Sequence, residues 1–125
     1  MTLDLASQAI IDRYFEAMQA GLPAAEAYAA LFADDAVLVE PFSGQQRTST
    51  GPAAIRASFE ESVRNRPPNM SLAVDVVSLE DGRIRSDWTA SSPVFPAPMR
   101  GYDLCTIRDG KIARLEVHLA RPARP

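Results

Sequence analysis

Three side chains are polar where the pattern around them is apolar: Tyr14, Glu40 and Asp103. Glu40 sits within the run "AVLVEPF", just before Pro41, and shares a strand face with Leu38. Asp103 lies in "MRGYDLCTIRDGKI". Alternation there puts Asp103, Cys105 and Ile107 on one face and Tyr102, Leu104 and Thr106 on the other. Both faces are largely apolar, so Asp103 is covered whichever of them is inside. Tyr14 falls on the apolar stripe of a helix with Ile11, Phe15, Met18 and Leu22. A buried, unpaired carboxylate is costly and tends to keep its proton. A buried phenol seeks a partner inside the protein. Brought into one apolar cavity, the three would supply an acid, a hydroxyl and a base, the parts of a proton-transfer site. Each alone has a plainer reading. Tyr14 fits a core position with a satisfied hydroxyl, Asp103 a turn cap or arginine partner, and Glu40 a strand end in water.

These residues need elements to hold them. Ser7 is placed to cap the first helix, and Gly21 closes it. Pro23 suits the first turn of a second helix, which carries Tyr28, Leu31 and Phe32 inward and ends at Asp34-Asp35. Ala36 to Glu40 reads as a short strand, and Gly44 to Thr50 as a polar loop. Gly51-Pro52 opens a third helix with Ile55, Phe59 and Val63 on one face, and "NRPPN" stops it. Strands follow over Met70 to Leu79, Arg83 to Ser91, Met99 to Arg108 and Lys111 to Leu119. Asp81-Gly82 and Asp109-Gly110 supply the hairpin turns. Pro93, Pro96 and Pro98 hold a loop, and "RPARP" reads as a frayed tail. Three helices followed by antiparallel strands predict an α+β fold, with the helices on one face of a curved sheet. Residues 1–125 form a single domain without repeats.

Composition bounds the functions. Hydrophobic residues make up 46% and charged residues 23% of 125, an ordinary globular balance. A net charge of -3 and a pI near 5.1 argue against a general nucleic-acid binder. The lone Cys105 excludes an internal disulfide. No run approaches the roughly 20 apolar residues of a membrane span. The start "MTLDLASQAI" lacks the basic and apolar regions of a signal peptide, so the cytoplasm is the expected compartment.

From about Ile10 to Leu119 the chain resembles the ketosteroid isomerases, within the superfamily named for nuclear transport factor two, to which the SnoaL-like polyketide cyclases also belong. The segments that carry the resemblance are "IIDRYFEAMQAG", "ALFADDAVLVEP", "GPAAIRASFEES" and "YDLCTIRDGKI". "LFADDA" and "DGKI" point only to the fold, while Tyr14, Glu40 and Asp103 match the residues that discriminate. The resemblance implies a cone-shaped α+β barrel, three N-terminal helices packed on a curved antiparallel sheet. It implies catalysis by Tyr14 and a protonated Asp103, which stabilise an enolate, with Glu40 moving the proton between carbons. No cofactor or metal is needed for that chemistry. The implied pocket is lined by Met18, Phe32, Leu38, Phe59, Trp88, Cys105 and Leu119 and takes a small hydrophobic ligand, steroid-like or polyketide-like.

The chain departs from that family in three ways. The base is Glu where the isomerases carry Asp, roughly 1 Å longer in reach. Phe32 and Phe59 stand where some isomerases carry supporting tyrosines. "SSPVFPAPM" is proline-rich where the family has an ordinary connection, which alters the pocket mouth.

Two other functions fit the same fold. A non-catalytic binding module would keep the pocket without the chemistry. Limonene epoxide hydrolases use an Arg-x-Asp on a strand, and Arg85-Ser86-Asp87 is similar. However, Trp88 takes the inward parity, which turns Arg85 and Asp87 outward, and Val117 stands where the second acid would be. His118 reads as outward-facing, Cys105 as a wall residue, and Arg47, Arg56, Arg64 and Arg66 as solvated charges. A homodimer through the outer sheet face is expected, with Leu104, Thr106 and Val77 as outward residues.

Overall fold

The computed structural model describes residues 4–42 and 44–120; the "RPARP" tail lies outside the described residues. Helix α1 spans Leu5–Ala20. Its cap is Asp4 rather than Ser7: the Asp4 carboxylate accepts the Ser7 N–H at 2.7 Å, satisfying one of the free donors of the first turn. Ile10, Ile11, Tyr14, Phe15 and Ala17 form its buried stripe, and Leu22, beyond the helix, is exposed. Gly21 turns the chain at φ 79°, where a side chain would be strained.

Pro23 opens a 3-10 turn, Leu22–Ala24, rather than the second helix itself, and α2 is short, Ala25–Ala30. Strand β1 already begins at Phe32 and runs to Glu40, so Asp34-Asp35 does not end a helix. The two acids are exposed inside β1, where its register against the last strand shifts. The Ile112 N–H donates to the Leu31 carbonyl at 2.8 Å and draws the chain into the sheet there. The expected loop also contains a strand, β2 (Arg47–Thr50), antiparallel to β1. Helix α3 covers Pro52–Arg64.

The remaining strands are β3 (Ser71–Glu80), β4 (Arg83–Ser91), β5 (Met99–Arg108) and β6 (Lys111–Leu119). Asp81-Gly82 and Asp109-Gly110 all have positive φ, the geometry of two-residue hairpin turns.

The six strands form an open sheet in the order β2-β1-β6-β5-β4-β3. Four neighbouring pairs are antiparallel, while β1 and β6 run parallel, so the sheet is mixed. Alternation is the same for either strand direction, which is why the sequence pattern does not reveal that pair. The three helices cover one face, and the core lies between. Ile84, Ser86, Trp88 and Ala90 of β4 turn into it, as do Asp103 and Cys105 of β5. A bulge at Asp75 shifts the parity of β3. Val77 therefore pairs with inward Ser86 and packs against the core, contrary to its expected outward position, and Val76 is the exposed neighbour. No helix among the described residues is long and apolar enough to cross a membrane.

Candidate functional site

Tyr14 is brought to the core by α1, Glu40 by the end of β1 and Asp103 by the middle of β5; they are 2%, 1% and 4% exposed. Each has a different set of neighbours.

The Asp103 carboxylate accepts the Trp88 indole N–H at 2.9 Å. Burial pushes its pKa up to about 7, against the pull of the Trp88 hydrogen bond, so it carries a proton for much of the neutral range. Trp88 can lie where it does because Gly101 sits opposite it on β5. A Cβ on Gly101 would come within 2.6 Å of the His118 carbonyl oxygen and closer still to the indole ring. A glycine inside a strand pattern is the sequence sign of such an approach.

Tyr14 faces Tyr28, with ring centroids 5.5 Å apart. Burial raises the Tyr14 pKa well above its ordinary value, and the neighbouring Tyr28 and Asp103 raise it further. Tyr28 is raised too, chiefly by burial, and its ring stacks on Phe59 at 4.1 Å. A hydroxyl neighbour, which Phe32 and Phe59 cannot provide, is supplied from α2 by Tyr28. The sequence showed Tyr28 only as an inward residue.

Glu40 is buried but fully partnered. One oxygen accepts the Arg47 Nε–H at 2.6 Å and the Ser58 hydroxyl at 3.3 Å, and the other accepts the Phe42 N–H at 2.7 Å. Arg47 is its cross-strand partner and also pairs with Glu61 at 2.9 Å. Arg47 is therefore no freely solvated charge. The Glu40–Arg47 register comes from the pairing of β2 with β1, which the polar stretch Gly44 to Thr50 does not signal in the sequence.

Two hollows lie beside these residues. The smaller, about 10 Å³, has room for no more than one water and is lined by Tyr14, Met18, Tyr28, Leu38, Glu40, Phe42, Ser58, Phe59 and Ser62. The larger, about 380 Å³, is of ligand size and includes Met18, Arg47, Arg66, Trp88, Phe95, Met99 and Leu119 in its wall. Met18, Phe42 and Ser62 border both, so side chains separate the two. Of the expected pocket residues, Met18, Trp88 and Leu119 line the larger hollow and Leu38 and Phe59 the smaller. Phe32 and Cys105 are core residues that line neither. Asp103 also lines neither; Trp88 stands between it and the larger hollow. Neither hollow therefore has both Tyr14 and Asp103 in its wall. Phe95 and Met99 bring the proline-rich segment into the wall. Cys105 is inert, its thiol pushed up to about 12 by burial and by Asp103.

Arg85 and Asp87 lie on the outer face, 3.0 Å apart. Arg85 covers the Tyr102 ring at 3.9 Å, and Tyr102 stacks on His118. Val117 is in the core. The epoxide-hydrolase arrangement thus lacks its residues at the cavity. Among the described residues no three metal-ligating side chains come together.

Solved structures share this fold. One is a provisionally assigned ketosteroid isomerase from Kribbella flavida, 19% identical, with a TM-score of 0.71 over 94% of this chain and 79% of that one. Another is a provisionally assigned polyketide cyclase from Sinorhizobium meliloti, 22% identical, with a TM-score of 0.73 over 88% and 94%. A third, from Catenulispora acidiphila, has a ketosteroid isomerase-like fold and was solved with trimethylamine; it is 17% identical, with a TM-score of 0.68 over 87% and 83%. At these identities the likeness is one of fold. No functionally curated protein matches the chain. The SnoaL-like domain family matches residues 11–115, nearly the whole chain, and the protein belongs to that family.

Proposed function

We propose that the protein binds a small apolar ketone in the larger hollow and shifts a proton α to its carbonyl, in the manner of the ketosteroid isomerases. The observation that carries this reading is Asp103: a buried acid pushed up to about 7, close enough to Tyr14 to raise that phenol too. A neutral carboxylic acid and a phenol are the donors that a developing enolate oxygen needs in a water-poor site. Glu40, against the same small hollow as Tyr14, is the group that would take and return the proton. Access requires side-chain movement. Met18 is flexible and borders both hollows, so its turning aside would join them. The Glu40–Arg47 ion pair must also open on the side facing the ligand.

The second reading, a binding module, is favoured by that same ion pair, which occupies the would-be base. Turnover of a β,γ-unsaturated cyclic ketone, followed by the absorbance of its conjugated product, separates the two. The enzyme reading expects Tyr14→Phe and Asp103→Asn each to lower turnover by about 10²–10³ and Glu40→Gln to remove most of it. A parent protein that binds the ketone but never converts it leaves the binding module.

A further inference from the structure

We propose that the larger hollow is built for an apolar molecule that carries one carboxylate, and that Arg66 holds the carboxylate. This rests on the reading above that the hollow is the ligand site, and adds the ligand's charge to it.

The charges around the hollow are unequal in their partners. Arg47 and Glu61, both in its wall, neutralise each other at 2.9 Å, and Arg47 also holds Glu40. Arg66 is in the same wall and half-buried, yet among the described residues no carboxylate lies within ion-pair distance of it. Burial alone lowers its pKa, with no neighbouring anion to offset the loss of water. A guanidinium costs free energy to bring out of water unless a charged partner meets it, and its fork of N–H groups matches a carboxylate.

The backbone holds Arg66 ready. Its N–H donates to the Val63 carbonyl at 3.2 Å as α3 ends, and Pro67 follows, which restricts its backbone further. A plainer role, complementing the carbonyl end of α3, is already available to exposed Arg64 in the last turn of the helix.

The rest of the wall fits the other end of such a ligand. Trp88 offers a flat face, and Met18, Met70 and Met99 line the hollow too. Three of the chain's four methionines are thus in one wall, a surface that adapts to varied apolar shapes. The geometry selects an aromatic or alicyclic carboxylate over a neutral hydrocarbon of the same shape.

The test compares 2-naphthoate with 2-naphthamide, equal in shape and different in charge, by titration calorimetry at low salt. Wild-type protein is expected to bind the acid about tenfold more tightly, a preference that added salt erodes for the acid alone. Arg66→Met should abolish the preference, weakening the acid far more than the amide. Arg66→Lys should keep part of it, and Arg64→Met all of it. Equal binding of acid and amide by the wild type, or a preference that survives Arg66→Met, overturns the proposal while leaving the hollow as a ligand site. If neither compound binds at millimolar concentration, both this proposal and the ligand-site reading fall. Should Arg66→Met not fold, the wild-type acid-to-amide ratio and its salt dependence decide.

Discussion

Two carboxylates on the inner wall of the same sheet are equally hidden, Glu40 at 1% and Asp103 at 4% exposure, yet they meet different fates. Glu40 has a guanidinium, a hydroxyl and a backbone N–H around it. Asp103 accepts one hydrogen bond, from a neutral indole N–H, and its polar neighbours Ser86, Tyr14 and Tyr28 are uncharged. One end of the wall is built to hold a charge, and the other to hold a proton. Burial alone does not assign a chemical role; the partners that come with it do. The contrast also divides the proton-transfer set between a donor end that is ready and a base that is engaged.

The sharpest way to break this comparison is pH. The folded pKa of Asp103, about 7, lies above its ordinary value of 3.8, so between those values the folded protein holds a proton that the unfolded chain has released. The stability this contributes is fully present below about pH 4, is lost as pH rises towards 7, and stays lost above it. Over that window the loss amounts to about 4 kcal/mol. Asp103→Asn should match the parent near pH 4 and exceed it in stability at pH 8, the difference growing through the interval. Urea midpoints at several pH values read this directly. A difference that is flat with pH would mean that Asp103 is solvated or paired in the folded protein.

The Glu40 end should respond to loss of its cation instead. Arg47→Met leaves a buried carboxylate with only its hydrogen bonds, and breaking such a pair costs about 2–3 kcal/mol when, as here, one partner is partly exposed. Adding Glu40→Gln to that variant should recover most of the loss, since the amide needs no cation. The cycle of two single variants and the double one measures the coupling. If Arg47→Met is as stable as the parent, the ion pair does not hold this end, and Glu40 is freer to act as a base than its contacts suggest.

How far these contrasts were legible in the sequence depended on whether the signal was local. The buried positions of Tyr14 and Asp103 followed from periodicity, because apolar neighbours repeat at the helical and strand spacings around them, whereas for Glu40 a strand end in water fitted as well. The limits of β4, β5 and β6 followed from the Asp-Gly turns and the proline-rich loop. The short β2 did not, because four residues, "RTST", bear no apolar alternation and gain their place by pairing with β1. With β2 went Arg47, and with Arg47 the nature of the Glu40 site. The Asp75 bulge was hidden for a similar reason: one extra residue reverses parity without changing composition. Tyr28 was seen as inward, but its closeness to Tyr14 depends on how α2 docks against α1, a tertiary fact that neither helix encodes alone.

The outer face supplies the smallest expected effect and a control for the inner one. Arg85 and Asp87 flank Ser86 on β4, one residue away from the inward row that includes Trp88. They pair with each other, and Arg85 also reaches Glu80 at 3.2 Å and lies over Tyr102. Solvent screens such contacts, so removing them should move Tm by only about 1–2 °C. More telling is the ligand site. Arg85→Ala and Asp87→Ala should leave naphthoate affinity and any ketone turnover at parental values, since neither side chain borders a hollow. Trp88→Phe, one position further on, should weaken binding, because the indole forms part of the wall and also donates to Asp103. A single step along β4 therefore separates a silent substitution from a felt one. If both outer variants lost binding while Trp88→Phe kept it, the facing of the whole strand would have to be reversed, and with it the assignment of Asp103, opposite Ser86, to the inner wall.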